Sequence, residues 1–304
     1  MRLVGILAVL GLCVGGWAFG GETARYINGV EGVKCGSAPP PGYYFRSYEV
    51  WYHSRDLQDK NGHDLDVDFK MDLAASVERF IWVTDAPKKT LGFDYGVYAL
   101  VPLIYDSMEM TMGPVHLEDK RFAVGDVDIS PLLLSWHLPR VDVAFAYDLM
   151  IPTGDLHNGK IATGPIAAEY WTHMFTVGVT GYLDKEKTWT ISLLPRYEIH
   201  MEKQNRHFRA GDQFHFEWGV AKALPKLGLE FGLTGYCSWQ TTDDKGRGVA
   251  WDRKVHDRVF AIGPEVDYFI KPIELNMAVR YQREFGARDR TEGHMTTLTF
   301  TKRF

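Results

Sequence analysis

Asp148, Arg196, Glu217 and Arg280 are the residues of this 304-residue chain whose types and spacing most plainly imply a shared task. Each lies on the polar side of an alternating segment, about eight to eleven residues from a tight turn, so a common rise per residue sets all four at one height. Glu198 and His200 continue the Arg196 side upward, while Glu230, Glu265, Asp267 and Glu274 lie nearer the turns. Acids and bases mixed at one level can do either of two things. They can ring a pore as a constriction that selects solutes. They can also pair with one another, bracing the wall or holding a further piece of chain, because buried polar atoms need partners.

Other chemistry is thinly represented. Ser135-x-His137 reverses the His-x-Ser order of an outer-membrane lipid hydrolase and sits beside the turn at Pro139. The mature chain has no G-x-G-x-x-G, P-loop or Cys-x-x-Cys motif, and the Asp-rich loop Asp56 to Asp68 lacks EF-hand spacing. No catalytic residue, cofactor or metal is therefore expected. A formal net charge of −5 without clustered Lys and Arg argues against nucleic acid as a partner. Cys35 and Cys237 make no disulfide framework, and Cys237 shares the outward parity of its strand.

The elements that must position these residues are strands. In Ile273 to Phe285, Ile273, Leu275, Met277, Val279, Tyr281 and Phe285 alternate with Glu274, Asn276, Ala278, Arg280, Gln282 and Glu284. Such alternation marks a strand with one apolar and one polar face, in a soluble sandwich or in a membrane barrel. About twelve segments of this kind follow one another: 43–55, 66–84, 91–105, 125–138, 141–151, 170–183, 187–201, 213–224, 227–241, 258–270, 273–285 and 294–304. In the second, Val67, Phe69, Met71, Leu73, Ala75 and Val77 oppose Asp66, Asp68, Lys70, Asp72 and Glu78, and Pro102 in the third predicts a bulge or break.

Connections alternate short and long throughout, with long segments at 106–123, 152–169 and 286–293. Sorting of loops by length belongs to outer-membrane barrels, with short turns on the periplasmic side and an even strand number. The expected fold is thus all-β: one antiparallel transmembrane barrel of about twelve strands, polar sides inward, apolar sides on lipid and both termini periplasmic. Trp82, Trp136, Trp171, Trp189, Trp218 and Trp239 near strand ends fit interfacial girdles. A mean hydropathy of −0.21 does not oppose this, since alternation hides the apolar half.

The first 20 residues, with Arg2, an uncharged run from Leu3 to Phe19 and small residues before Gly21, read as a cleaved secretory signal. Residues 21–42 have no period and end in Pro39-Pro40-Pro41-Gly42, an extended leader before a barrel spanning 43–304. The leader, with Glu31, Lys34 and the three prolines, is either a plug folded into the lumen or a loose periplasmic tail. The final Phe304 suits the signal read by the outer-membrane barrel assembly machinery.

The run GVEGVKCGSAPPPGYYFRSYEVWY, then RFIWVTD, DYGVYALVPLIY, GDVDISPLLLSWH, AFAYDLMIPTGD, WTHMFTVGVTGYLDKEKTW and GDQFHFEWGVAK, resembles the phenol meta-pathway degradation family of outer-membrane transporters over nearly the whole mature chain. That resemblance implies passive uptake of small hydrophobic or aromatic compounds, with outer-membrane lipid, the solute and the assembly machinery as partners. A structural or adhesive barrel with an occluded lumen is the alternative.

Overall fold

A computed structural model describes residues 24–154, 167–203, 207–249 and 251–304, so the expected signal peptide and most of the loop after Gly154 lie outside the described residues. The described strands are β1 (Gly42–Leu57), β2 (Asp68–Thr84), β3 (Asp94–Met112), β4 (Val115–Val124), β5 (Val127–His137), β6 (Val141–Ile151), β7 (Thr172–Tyr182), β8 (Trp189–His200), β9 (Phe208–Arg209), β10 (Gln213–Leu224), β11 (Leu229–Gln240), β12 (Lys245–Gly246), β13 (Arg258–Ile270), β14 (Leu275–Arg288) and β15 (Thr291–Arg303). Twelve of them pair antiparallel with their sequence neighbours, and β1 pairs with β15 and β2 with β3, which closes the barrel. Closure leaves no open edge, as a bilayer requires. β4 pairs with β3 alone, and β9 with β12 forms a small ribbon outside the wall.

Two connections differ from the expectation. The segment 106–123 is not a loop: β3 runs on to Met112, turns at Gly113 (φ 58°) and returns as β4, raising a hairpin above the wall. Pro102 lies where β3 changes partners, between the stretch paired with β5 (Asp94 to Leu100) and the stretch paired with β4 (Leu103 to Met112). A residue with no N–H to donate suits that gap. The segment 286–293 is likewise strand, joined by Asp289 and Arg290 alone.

Facing follows parity on most strands. Along β14, Val279 is 52 % exposed and Arg280 2 %, and Met277, Tyr281 and Phe285 share the outward side with Val279. The apolar side is the one left bare, so it is the lipid side. On β2 the outer half is inverted. Phe69, Met71, Leu73, Ala75 and Val77 point inward and are buried, while Asp68, Lys70 and Asp72 point outward. Lys70 Nζ sits 2.8 Å from Asp72 Oδ2 on that outer face, and Lys120 of β4 reaches Glu118 at 2.5 Å beside it. This outer part of β2, β3 and β4 stands above the lipid, where water takes the outside and apolar side chains pack within.

At the boundary, on the outward face of β1 and β2, the Ser47 hydroxyl lies 2.7 Å from Glu49 and 3.2 Å from Glu78 and the Ser76 hydroxyl 2.9 Å from both, each sharing its one proton between the two carboxylates. Their cross-strand neighbours are Phe300, Leu298, Val101 and Leu103, an apolar surround on either side.

Candidate functional site

The leader, residues 24–41, has no regular structure, yet its atoms lie against the inner wall along its whole length. Wall carboxylates accept its backbone N–H groups. Glu198 takes those of Arg25 (2.8 Å) and Tyr26 (3.1 Å), Glu217 that of Glu31 (3.0 Å) and Glu265 that of Val33 (3.1 Å). Arg280 donates from Nη1 to the carbonyls of Gly29 and Val30, both at 2.9 Å. An irregular backbone at membrane depth needs partners of this kind.

Glycines make the close approach possible. Gly32 (φ +71°) lies so near the wall that a Cβ would meet Arg280 Nη2 at 1.9 Å. Gly36 lies against β7, where a side chain on it would run into the backbone of Val179 and one on Gly178 would run into the backbone of Gly36.

Side chains complete the attachment. Tyr26 donates its hydroxyl to Glu217 at 2.8 Å, and its ring carries the Arg196 guanidinium at 3.8 Å. Glu31 reaches Arg46 of β1 (2.9 Å), Arg79 of β2 (2.8 Å) and Arg196 of β8 (3.7 Å), and accepts from Tyr48 at 3.1 Å. Arg79, Arg46 and Arg196 thus surround the buried Glu31 carboxylate with positive charge. Lys34 pairs with Glu230 at 2.5 Å, and Ser37 donates to Asp142 at 2.8 Å. Pro39 leads to Pro40 and Pro41, whose carbonyls accept from Tyr44 (2.7 Å) and Arg303 (3.1 Å).

Five of the six lumen residues read from the sequence, Arg196, Glu198, Glu217, Glu265 and Arg280, therefore meet the leader. Asp148 does not share in these contacts. It accepts from Tyr98 and, at 3.5 Å, from Thr176. Arg46, Arg79, Tyr26 and Tyr48 escaped the sequence reading. Arg79 carried a usable signal, since it interrupts the apolar parity of β2 between Val77 and Ile81. A guanidinium facing lipid at that depth costs about 2–4 kcal/mol, so that stripe must face inward.

The lumen has two unlike sides. Along β5 to β14 it is polar, with the Glu198 carboxylate accepting from His215 Nε2 at 2.8 Å and the His215 ring stacking on Tyr26. Along β1 to β4 its upper part is mainly apolar, a cluster from Phe69, Met71 and Met110 near the mouth down to Val77 and Ile104, with the buried Asp106 set within it and Arg46 and Arg79 below it. That cluster ends at a cavity of about 80 Å³ between the leader residues Ile27, Val30 and Glu31 and the wall residues Val77, Leu100 and Ile104.

The remaining sequence candidates are occupied locally. His137 pairs with Asp142 at 3.2 Å near the Leu138 turn. Asp59 accepts the backbone N–H groups of Asn61 (2.7 Å) and His63 (2.9 Å), shaping its own loop. Cys35 is buried and Cys237 half-buried, and the two are free.

A family model described as "Putative MetA-pathway of phenol degradation" matches residues 54–300. The chain belongs to that family. No curated protein matches it. Among solved structures, an outer-membrane channel from Pseudomonas putida F1 is similar at 14 % identity and a TM-score of 0.75, covering 88 % of this chain and 98 % of that one. The β domain of the Bordetella autotransporter BrkA is similar at 9 % identity and a TM-score of 0.50, covering 88 % and 100 %. These neighbours, a channel and an autotransporter β domain, share the barrel fold. The barrel with its apolar outer belt places the chain in the bacterial outer membrane.

Proposed function

We propose that the protein is a passive, non-enzymatic outer-membrane channel for small hydrophobic or aromatic compounds, with residues 24–41 as a plug in its lumen. The observation that carries this reading is the apolar inner stripe from Phe69 to Ile104, which runs from the mouth to a cavity at the leader. A pore for sugars or ions has no use for a lane of Met, Leu and Val, whereas an apolar solute leaving water gains about 25 cal/mol per Å² buried there. The family's phenol-degradation description supports the same class of cargo.

In this reading Arg196, Glu198, Glu217, Glu265 and Arg280 form the constriction by gripping the plug, and Asp148 lines the wall beside it. Short turns and both termini face the periplasm, so the plug enters from that side. Assembly proceeds through the barrel assembly machinery, and nucleic acid is not a partner. Liposome swelling tests the function: entry of benzyl alcohol above that of a sugar of similar size is expected, and equal entry, or none, counts against it. Deleting residues 22–38 is expected to raise single-channel current. The occluded structural or adhesive barrel is favoured by the density of leader contacts, and an unchanged current after that deletion would support it.

A further inference from the structure

Three guanidinium groups and a phenol from three strands converge on one carboxylate, and that carboxylate belongs to the leader. Arg46, Tyr48, Arg79 and Arg196 are wall residues of β1, β2 and β8. Their placement does not depend on Glu31 alone. Arg79 lies 3.8 Å over the ring of Tyr98, Arg196 donates to Glu217 at 2.8 Å, and Arg46 donates to Thr301 at 2.9 Å. Glu217 offsets one of the three positive charges from the wall side, and Glu31 is the further carboxylate bonded at the centre of the group. The wall thus carries a preformed carboxylate site, and the leader fills it.

The surroundings define what else would fit. The cavity is lined mainly by Ile27, Val30, Val77, Leu100 and Ile104, with Glu31 and Tyr48, and also with Arg25, Asp126 and Asp128. A carboxylate in the arginine cage therefore has apolar space next to it, on the side toward the greasy lane. Guanidinium groups grip carboxylates with directed, charge-assisted bonds, which a neutral hydroxyl or an ammonium group cannot reproduce.

We propose that Arg46, Arg79, Arg196 and Tyr48 form a solute site for small aromatic or aliphatic carboxylates, and that Glu31 occupies it as a tethered stand-in for the solute's own carboxylate. The solute's apolar body lies in the cavity while its carboxylate takes the place of the Glu31 side chain. Displacing Glu31 frees the middle of the leader, so cargo recognition and release of the plug become one event. The role in passage rests on the channel reading, but the binding does not.

Both points are read by isothermal titration of the full chain in detergent, with sodium benzoate, benzyl alcohol and benzylammonium as probes. Glu31→Gln is expected to bind benzoate at least ~10-fold more tightly than the unaltered protein, because a tethered competitor acts at an effective concentration on the order of millimolar. Benzyl alcohol and benzylammonium are expected to show no such gain, and adding Arg79→Gln should abolish it. In the unaltered protein, benzoate should speed hydrogen exchange of the amides at 24–41, which needs no variant to fold. Equal benzoate affinity in the two proteins, or a gain as large for benzyl alcohol, overturns the proposal, as does exchange that benzoate leaves unchanged. Benzoate binding of this form without liposome swelling would sink the channel reading and leave the site standing; swelling without it would do the reverse.

Discussion

Arg280 and Glu265 face each other on adjacent strands, bonded Nε to Oε2 at 2.6 Å and Nη2 to Oε1 at 3.0 Å, with the remaining nitrogen of Arg280 on leader carbonyls. Wall and leader are thus held by one guanidinium.

Arg280→Ala would leave Glu265 charged and buried without its partner, which costs about 3–5 kcal/mol. A fall in the thermal midpoint together with a raised single-channel current is expected. Adding Glu265→Gln should recover much of the midpoint but not the closed state, because the carbonyls of Gly29 and Val30 stay unclaimed. A double variant as unstable as the single one would show that the pair is not the reason.

Gly178→Val places side-chain atoms where Gly36 now rests; a Cβ alone would stand 2.6 Å from the Gly36 carbonyl oxygen. The wall strand accepts valine readily, so the strain, about 1–3 kcal/mol, falls on the leader. Limited proteolysis should then cut within 24–41 while the barrel resists. An uncut leader would mean that contact is dispensable.

Ile104→Asn puts an unpaired amide on the apolar stripe, at about 1–3 kcal/mol. Entry of benzyl alcohol into liposomes should slow by roughly tenfold, since about 1.4 kcal/mol is a factor of ten. Sugar leakage and ionic current should not change. Equal slowing of all solutes would point to collapse of the pore instead.

Asp289, in the outer turn between β14 and β15, has its carboxyl raised from 3.8 to about 6, first by burial and then by Asp257 and Asp59. The fold therefore holds that proton more tightly than the unfolded chain does. Its contribution to stability is full below about pH 4 and is lost as pH rises through about 6. Asp289→Asn, tolerated at φ 51°, should raise the thermal midpoint at pH 8, by the equivalent of ~1–2 kcal/mol after allowing for partial exposure, and leave it unchanged near pH 4. A gain of the same size at both pH values would remove the ionisation from the account.

The strand pattern was largely legible in the chain. The segments 141–151, 213–224 and 258–270 coincide with β6, β10 and β13, because strict alternation ends there at Pro, Lys or Asp turns. The β3–β4 hairpin was not legible, since Met108, Met110 and Met112 alternate with polar residues above the membrane as they would in a loop crossing open water. Parity also separates two faces without saying which is outside, and β2 answers differently above and below Glu78. Of the lumen residues, parity and height found Arg196, Glu198, Glu217, Glu265 and Arg280. They could not show that the partner of these groups is the leader, because contacts separated by 170 to 250 residues leave no local trace.

The hydroxyl-linked Glu49 and Glu78 have a consequence for the lipid itself. Below them β2 offers only Phe80 and Trp82 to acyl chains, whereas β14 offers Met277, Val279 and Tyr281 before the outward Arg283. The hydrophobic thickness of this molecule is therefore unequal around its girth. Lipid molecules beside β1 and β2 must thin, or the cylinder must lean toward that flank, so the membrane around this protein is dimpled on one side.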